Sequence, residues 1–271
     1  GNYIGTDATQ TTDLGINDVA VVIDGSLSNN NRVGGTGAGE GNVIANSLFG
    51  ISTFNGGYGN SFLSNTFPNI EEMAIDLKSD GVTNNDNLDP DPTTGAPNNY
   101  LQNFPEMLDA DSVAGGVRIC AELNSNINEN FIVQIYKSAG NTTSTFGAGD
   151  ELIGSMNVTT ASNGIAQIST TISHNNVHSG EFISMLVTDS SGNTSELGEN
   201  WVIGYGSNAN PTFIWLSATT VPENSPAGTV VGLLTPQDPD LCDAHTFSLV
   251  SGAQSQGNPS FTIMGNELRT N

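Results

Sequence analysis

The chain has 271 residues, 36% of them hydrophobic, with 5 Lys and Arg against 28 Asp and Glu and a formal net charge of −23. That length holds two or three domains, the charge repels nucleic acid and anionic headgroups alike, and no apolar run approaches the roughly 18 residues of a membrane span. The partner such a surface suits is a cation. Ca²⁺ fits best, because it takes about six to eight hard oxygen ligands of the kinds this chain carries in excess; the plainer alternative is that the acidity only confers solubility.

From the N-terminus, the tripeptide Asn-x-apolar occurs at Asn2, Asn31 and Asn60, 29 residues apart each time, and Val22 and Ile51 keep the same step. Short β-prone pieces at 21–23, 42–44, 50–52 and 73–75 alternate with turns such as Gly34-Gly35-Thr36-Gly37 and Asn55-Gly56-Gly57. Short strands at a fixed period, joined by residues that accept left-handed backbone angles, predict a parallel β-helix over residues 1–77 with a coil of about 29 residues. Asn recurring at one coil position would stack its amides into a ladder, and an uncovered rung edge would need a cap. The stretches Asn2-Tyr3-Ile4-Gly5-Thr6-Asp7, Val33-Gly34-Gly35-Thr36 and Gly39-Glu40-Gly41-Asn42-Val43-Ile44-Ala45-Asn46 resemble the coils of right-handed β-helix repeats in large bacterial surface proteins.

Residues 78–105 form an Asp-, Asn- and Pro-rich junction. Asp86, Asp89 and Asp91 are candidates to converge on one Ca²⁺, although their spacing is not that of an EF-hand loop; the alternative is a loop of Asx turns without an ion. The run from Asp76 to Pro92 followed by Pro97-Asn98-Asn99-Tyr100-Leu101-Gln102-Asn103-Phe104-Pro105 resembles the linker that leads such β-helices into an Ig-like domain.

Over residues 106–206, alternating segments at 117–123, 131–136, 152–158, 166–172, 182–187 and 201–205 predict a β-sandwich of about seven strands. Within it, Thr188-Asp189-Ser190-Ser191-Gly192-Asn193-Thr194-Ser195-Glu196 resembles a hairpin of bacterial Ig-like modules, read first as a turn and secondarily as an ion site through Asp189 and Glu196. After a polar hinge, residues 207–271 contain Pro222-Glu223-Asn224 and Asp238-Pro239-Asp240, which resemble the opening part of a bacterial cadherin-like repeat. That resemblance implies Ca²⁺ ligands at Glu223, Asp238 and Asp240, and a partial sandwich whose strands are completed by neighbouring chain or another subunit. Cys120 and Cys242 fall in different predicted domains and are expected as buried free thiols.

No nucleophile elbow, phosphate loop or zinc motif is present. Within the coils, Asp24 stands as an isolated strand carboxylate and Arg32 as the single basic residue, which leaves β-helix glycan chemistry without its paired acids. The chain opens on Gly1 without an initiator Met or signal sequence and reads as an internal piece. The expectation is an all-β, non-enzymatic segment of a long extracellular protein or filament of the bacterial cell surface. Its partners would be neighbouring domains or subunits of the same fibre and extracellular glycan, with no nucleic acid and no membrane insertion. Polymerising subunit and monomeric adhesin both stay open, and the runner-up is a carbohydrate-active or carbohydrate-binding β-helix protein.

Overall fold

The computed structural model describes residues 1–90, 97–140, 145–206, 209–240, 242–253 and 255–271. With 44% strand and 4% helix the protein is all-β. It divides into two compact units, Gly1–Gly206 and Ser207–Asn271.

The first part of the larger unit contains β1 (Tyr3–Ile4), β2 (Val19–Asp24), β3 (Arg32–Gly34), β4 (Val43–Ile44), β5 (Ser47–Phe54), β6 (Ser61–Leu63) and β7 (Ile70–Asp76). Successive passes of the chain pair in parallel, in three columns. They run β1–β4, extended by a bridge from Val43 to Thr66, then β2–β5–β7, then β3–β6. Ile44, Ile51, Phe62, Phe67, Ala74 and Ile75 are buried between the columns.

Only one column keeps the 29-residue step: Arg32 pairs with Ser61, and Asn31 stacks on Asn60. Asn2 stacks instead on Asn42, 40 residues on, and Val21 rather than Val22 faces Ile51. The first pass is lengthened by a loop in which Leu14 N–H returns to Gly5 O and Asp7 accepts from Thr9, Thr11 and Thr12. The three Asn-x-apolar tripeptides therefore belong to two columns, and the uniform period is corrected to unequal passes.

Asparagine ladders do form. Asn2 donates its backbone and side-chain N–H groups to Asn42 Oδ1, and Asn42 does the same to Asn65 Oδ1. A second ladder runs from Asn31 to Asn60 Oδ1 and from Asn60 N to Asn99 Oδ1. One short amide thus satisfies buried backbone groups at turns where no strand partner exists. Close stacking also explains Gly34: its φ is +83°, and a Cβ there would stand 2.0 Å from Leu63 O.

The remainder of the larger unit is antiparallel: β8 (Glu106–Val113), β9 (Gly116–Asn124), β10 (Asn130–Ser138), β11 (Glu151–Thr159), β12 (Ile165–Ser173), β13 (Phe182–Asp189) and β14 (Trp201–Val202). They form two sheets, β11–β10–β13–β14 and β12–β9–β8, with Ile119, Leu123, Val133, Ile135, Ile168 and Met185 among the buried side chains they share. On β10, Gln134 and Tyr136 alternate with that core yet are also buried, because Tyr136, Leu186 and Leu197 pack with Phe62, Phe67, Ile75 and Leu77 of the parallel passes. A strand covered on both faces loses the polar alternation of a half-exposed one.

The smaller unit holds β15 (Phe213–Leu216), β16 (Val230–Gln237), β17 (Phe261–Met264) and β18 (Glu267–Thr270) in one antiparallel sheet of order β15–β16–β18–β17. Ile214, Leu234, Ile263 and Leu268 line a cavity with Phe247 and Leu249. Phe213 and Trp215 stack edge to face at 4.8 Å and are both about half exposed. Neither Cys120 nor Cys242 is a free thiol, which corrects the sequence expectation.

Candidate metal centre

β16 ends at Gln237 and runs directly into Asp238-Pro239-Asp240. Pro239 has its φ set by its ring, and Asp240 N–H closes the turn onto Asp238 Oδ1 at 2.9 Å. Asp240 Oδ2 accepts from Ala209 N–H. One carboxylate oxygen each of Asp238, Asp240 and Asp243 lies within 4.8 Å of the others. The Asp238 side chain is only 6% exposed, and its Oδ2 is buried without a hydrogen-bond partner. His245 Nε2 approaches that oxygen at 3.6 Å, too far for a hydrogen bond. Three clustered carboxylates, one with an orphaned buried oxygen, repel each other, and a cation among them would relieve that repulsion. Hard oxygen donors of this kind suit Ca²⁺.

Of the residues expected from the sequence, Asp238 and Asp240 are brought together. Glu223 lies exposed in the turn before β16 and, among the described residues, joins no group of three acidic ligands. Asp243 was missed; its signal was an acidic residue three positions beyond Asp240.

At the junction, Asp91 lies outside the described residues. Asp89 is buried, with Oδ2 accepting from Ser125 Oγ at 2.7 Å and from Gln102 Nε2, while Oδ1 has no partner. Burial pushes its carboxyl up to about 6, and the charge of Asp86 adds to the rise. Asp86 itself is exposed and anchored by its backbone to the side chain of Asn103. The two aspartates are thus electrostatic neighbours, without a third carboxylate among the described residues.

The Thr188–Glu196 stretch does more than turn. Asp189 organises the turn, accepting from Ser191 N–H, Asn193 N–H and Asn193 Nδ2. The following side chains cap the last parallel pass. Asn193 Oδ1 accepts from Gly59 N–H, Thr194 Oγ1 from Phe62 N–H at 3.0 Å, and Glu196 Oε1 from Leu77 N–H at 2.8 Å. Gln134 Oε1, Gly149 O and Gly147 O take the N–H groups of Ser64, Phe67 and Ala74. An open strand edge is in this way satisfied by the antiparallel sheets. Glu196 Oε2 also accepts from Thr83 N–H, which ties down the start of the junction. Burial pushes the Glu196 carboxyl up to about 8 against the pull of those N–H groups, and burial raises Asp76 beside it to about 6.

β7 carries Glu71, Glu72 and Asp76, carboxylates that a reading centred on Asp24 passed over. Glu71 and Asp13 line a cleft of about 530 Å³ with Asn17, Asn46 and Asn69, and among the described residues no basic or imidazole side chain lines it.

The fold and its acidic turn define an all-β protein carrying a candidate divalent-cation centre. No family model and no curated protein matches the chain.

Proposed function

We propose that this chain is a structural or adhesive segment of a long extracellular protein or filament of the bacterial surface, without catalysis, and stiffened by Ca²⁺. In this reading the parallel passes are the coils of a β-helix, the two antiparallel sheets an Ig-like sandwich, and the smaller unit part of a cadherin-like repeat. Neighbouring domains or subunits of the same fibre are its partners.

One observation carries the reading: the asparagine ladders and the Asn193, Thr194 and Glu196 side chains join the parallel passes to the antiparallel sheets by buried hydrogen bonds. Such a joint resists local opening, because each buried donor that loses its acceptor costs about 1 to 3 kcal/mol. The aspartate turn at the end of β16 supplies a place where bound cation would stiffen the smaller unit. Among the described residues no helix is long and apolar enough to cross a membrane.

Limited proteolysis of the full chain tests this. In Ca²⁺, the segments 1–90 and 97–206 are expected to remain associated in native chromatography after protease treatment, held by the bonds of Asn193, Thr194 and Glu196. Adding chelator is expected to speed cleavage in 238–250. Separation of those two segments, or a smaller unit indifferent to chelator, would contradict the proposal.

A further inference from the structure

A cleft of about 260 Å³ opens beside the first residues of β8, with Asn85, Phe104, Glu106, Met107, Phe146 and Glu199 in its walls. Part of the wall is apolar. Phe104 and Met107 are otherwise buried, and Phe104 meets Phe146 edge to face at 5.9 Å. The rim is acidic. Glu106 and Glu199 are exposed; Glu106 Oε1 accepts from Asn85 Nδ2 at 3.2 Å, and an antiparallel bridge sets Glu199 opposite Phe146. Among the described residues no basic or imidazole side chain lines the cleft. Neither the asparagine ladders nor the aspartate turn uses any of these six residues.

We propose that this cleft receives an arginine side chain presented by a partner protein. Its volume lies below the roughly 300 to 1,000 Å³ of small-molecule sites, which suits a single side chain. Two carboxylates at the rim repel an anion and attract a cation. A guanidinium is a planar cation that aromatic faces attract, and its five N–H donors match carboxylate and amide oxygens together. A second copy of this chain is a poor source, because Arg32, Arg118 and Arg269 are already ion-paired within it, to Glu40, to Asp109 and Asp111, and to Glu267. The occupant is therefore a different, basic protein, of the kind that a net charge of −23 draws in. This gives the segment a partner site that does not depend on the aspartate turn or on Ca²⁺.

The test is an NMR titration of the full chain, in chelator and at about 0.15 M salt to screen long-range attraction. The probes are Nα-acetyl-arginine amide and its lysine and citrulline counterparts. The arginine compound is expected to shift the resonances of Asn85, Met107, Phe146 and Glu199. The lysine compound should bind more weakly, and citrulline, of the same shape but uncharged, should not bind. Phe146→Ala is expected to weaken arginine binding at least about threefold through loss of the ring face. Glu199→Gln, at an exposed position that leaves the fold intact, should weaken it about threefold as well. Equal binding of the lysine or citrulline compound would overturn the proposal. So would an absence of binding, or shifts scattered over the acidic surface that both variants leave unchanged. The Ca²⁺-dependent proteolysis stands or falls separately, since chelator is present throughout this titration.

Discussion

Replacing Glu196 by glutamine is expected to flatten the pH dependence of stability of residues 1–206 between pH 6 and 8. The ordinary value of a Glu carboxyl is 4.5, and burial lifts that of Glu196 to about 8. The folded protein therefore holds a proton over a range where the unfolded chain has released it, so stability falls as pH rises through that interval. Asp76 and Asp89 act in the same sense from 3.8 to about 6. In chelator the parent chain is expected to be more stable to urea at pH 5 than at pH 8, with Glu196 accounting for roughly 3 to 5 kcal/mol of the difference. Glu196→Gln keeps an acceptor oxygen but cannot ionise, so its decline levels off about one unit above pH 6, once the aspartates are ionised. Glu196→Ala leaves Leu77 N–H and Thr83 N–H without acceptors, and its cost relative to the parent is expected to be largest near pH 5 and to shrink toward pH 8 as the parent loses its own protonated carboxyl. A parent chain that gains stability from pH 5 to 8, or a glutamine variant with the parent slope, would show that the carboxyl is not held as described.

The second large effect belongs to the ladders. Asn60 is fully buried, and its Oδ1 accepts both N–H groups of Asn31. Asn60→Ala takes the acceptor from those donors but also removes an Nδ2 group that is buried without a partner, and is expected to lower stability by about 1 to 2 kcal/mol. Asn31 heads the same ladder at an exposed edge, so Asn31→Ala, which removes only a donor, should cost less than about 1 kcal/mol. Urea midpoints of the two variants measure the contrast. Similar losses at the two positions would mean that the ladder contributes little beyond its rim.

Much of the antiparallel fold was legible as period-2 alternation. The segments expected at 117–123, 131–136, 152–158, 166–172 and 182–187 lie within β9 to β13. β8 was missed because Asp109 and Asp111 break its apolar pattern; both face Arg118 on β9, at 3.3 and 2.8 Å, an ion pairing that only the strand register reveals. The parallel passes were legible as short strands between turns, but not their register, since a fixed spacing cannot tell which of three columns an Asn occupies. The capping role of Asn193 was hidden for another reason: its acceptor oxygen meets Gly59, 134 residues away. Local pattern carries no trace of so distant a contact. At the candidate metal centre, Asp238 and Asp240 were visible through a family resemblance, while Asp243 required the folded turn.

The most direct measurement is thermal unfolding of the full chain in millimolar Ca²⁺ and in excess chelator. A ligand that binds only the folded state must raise stability, by about 2.7 kcal/mol at a hundredfold excess over its dissociation constant. The account predicts that Ca²⁺ raises the unfolding temperature of the smaller unit and that Asp238→Asn abolishes the rise. Identical unfolding in Ca²⁺ and chelator would reduce the aspartates to a solvated turn and contradict a cation-stiffened surface segment.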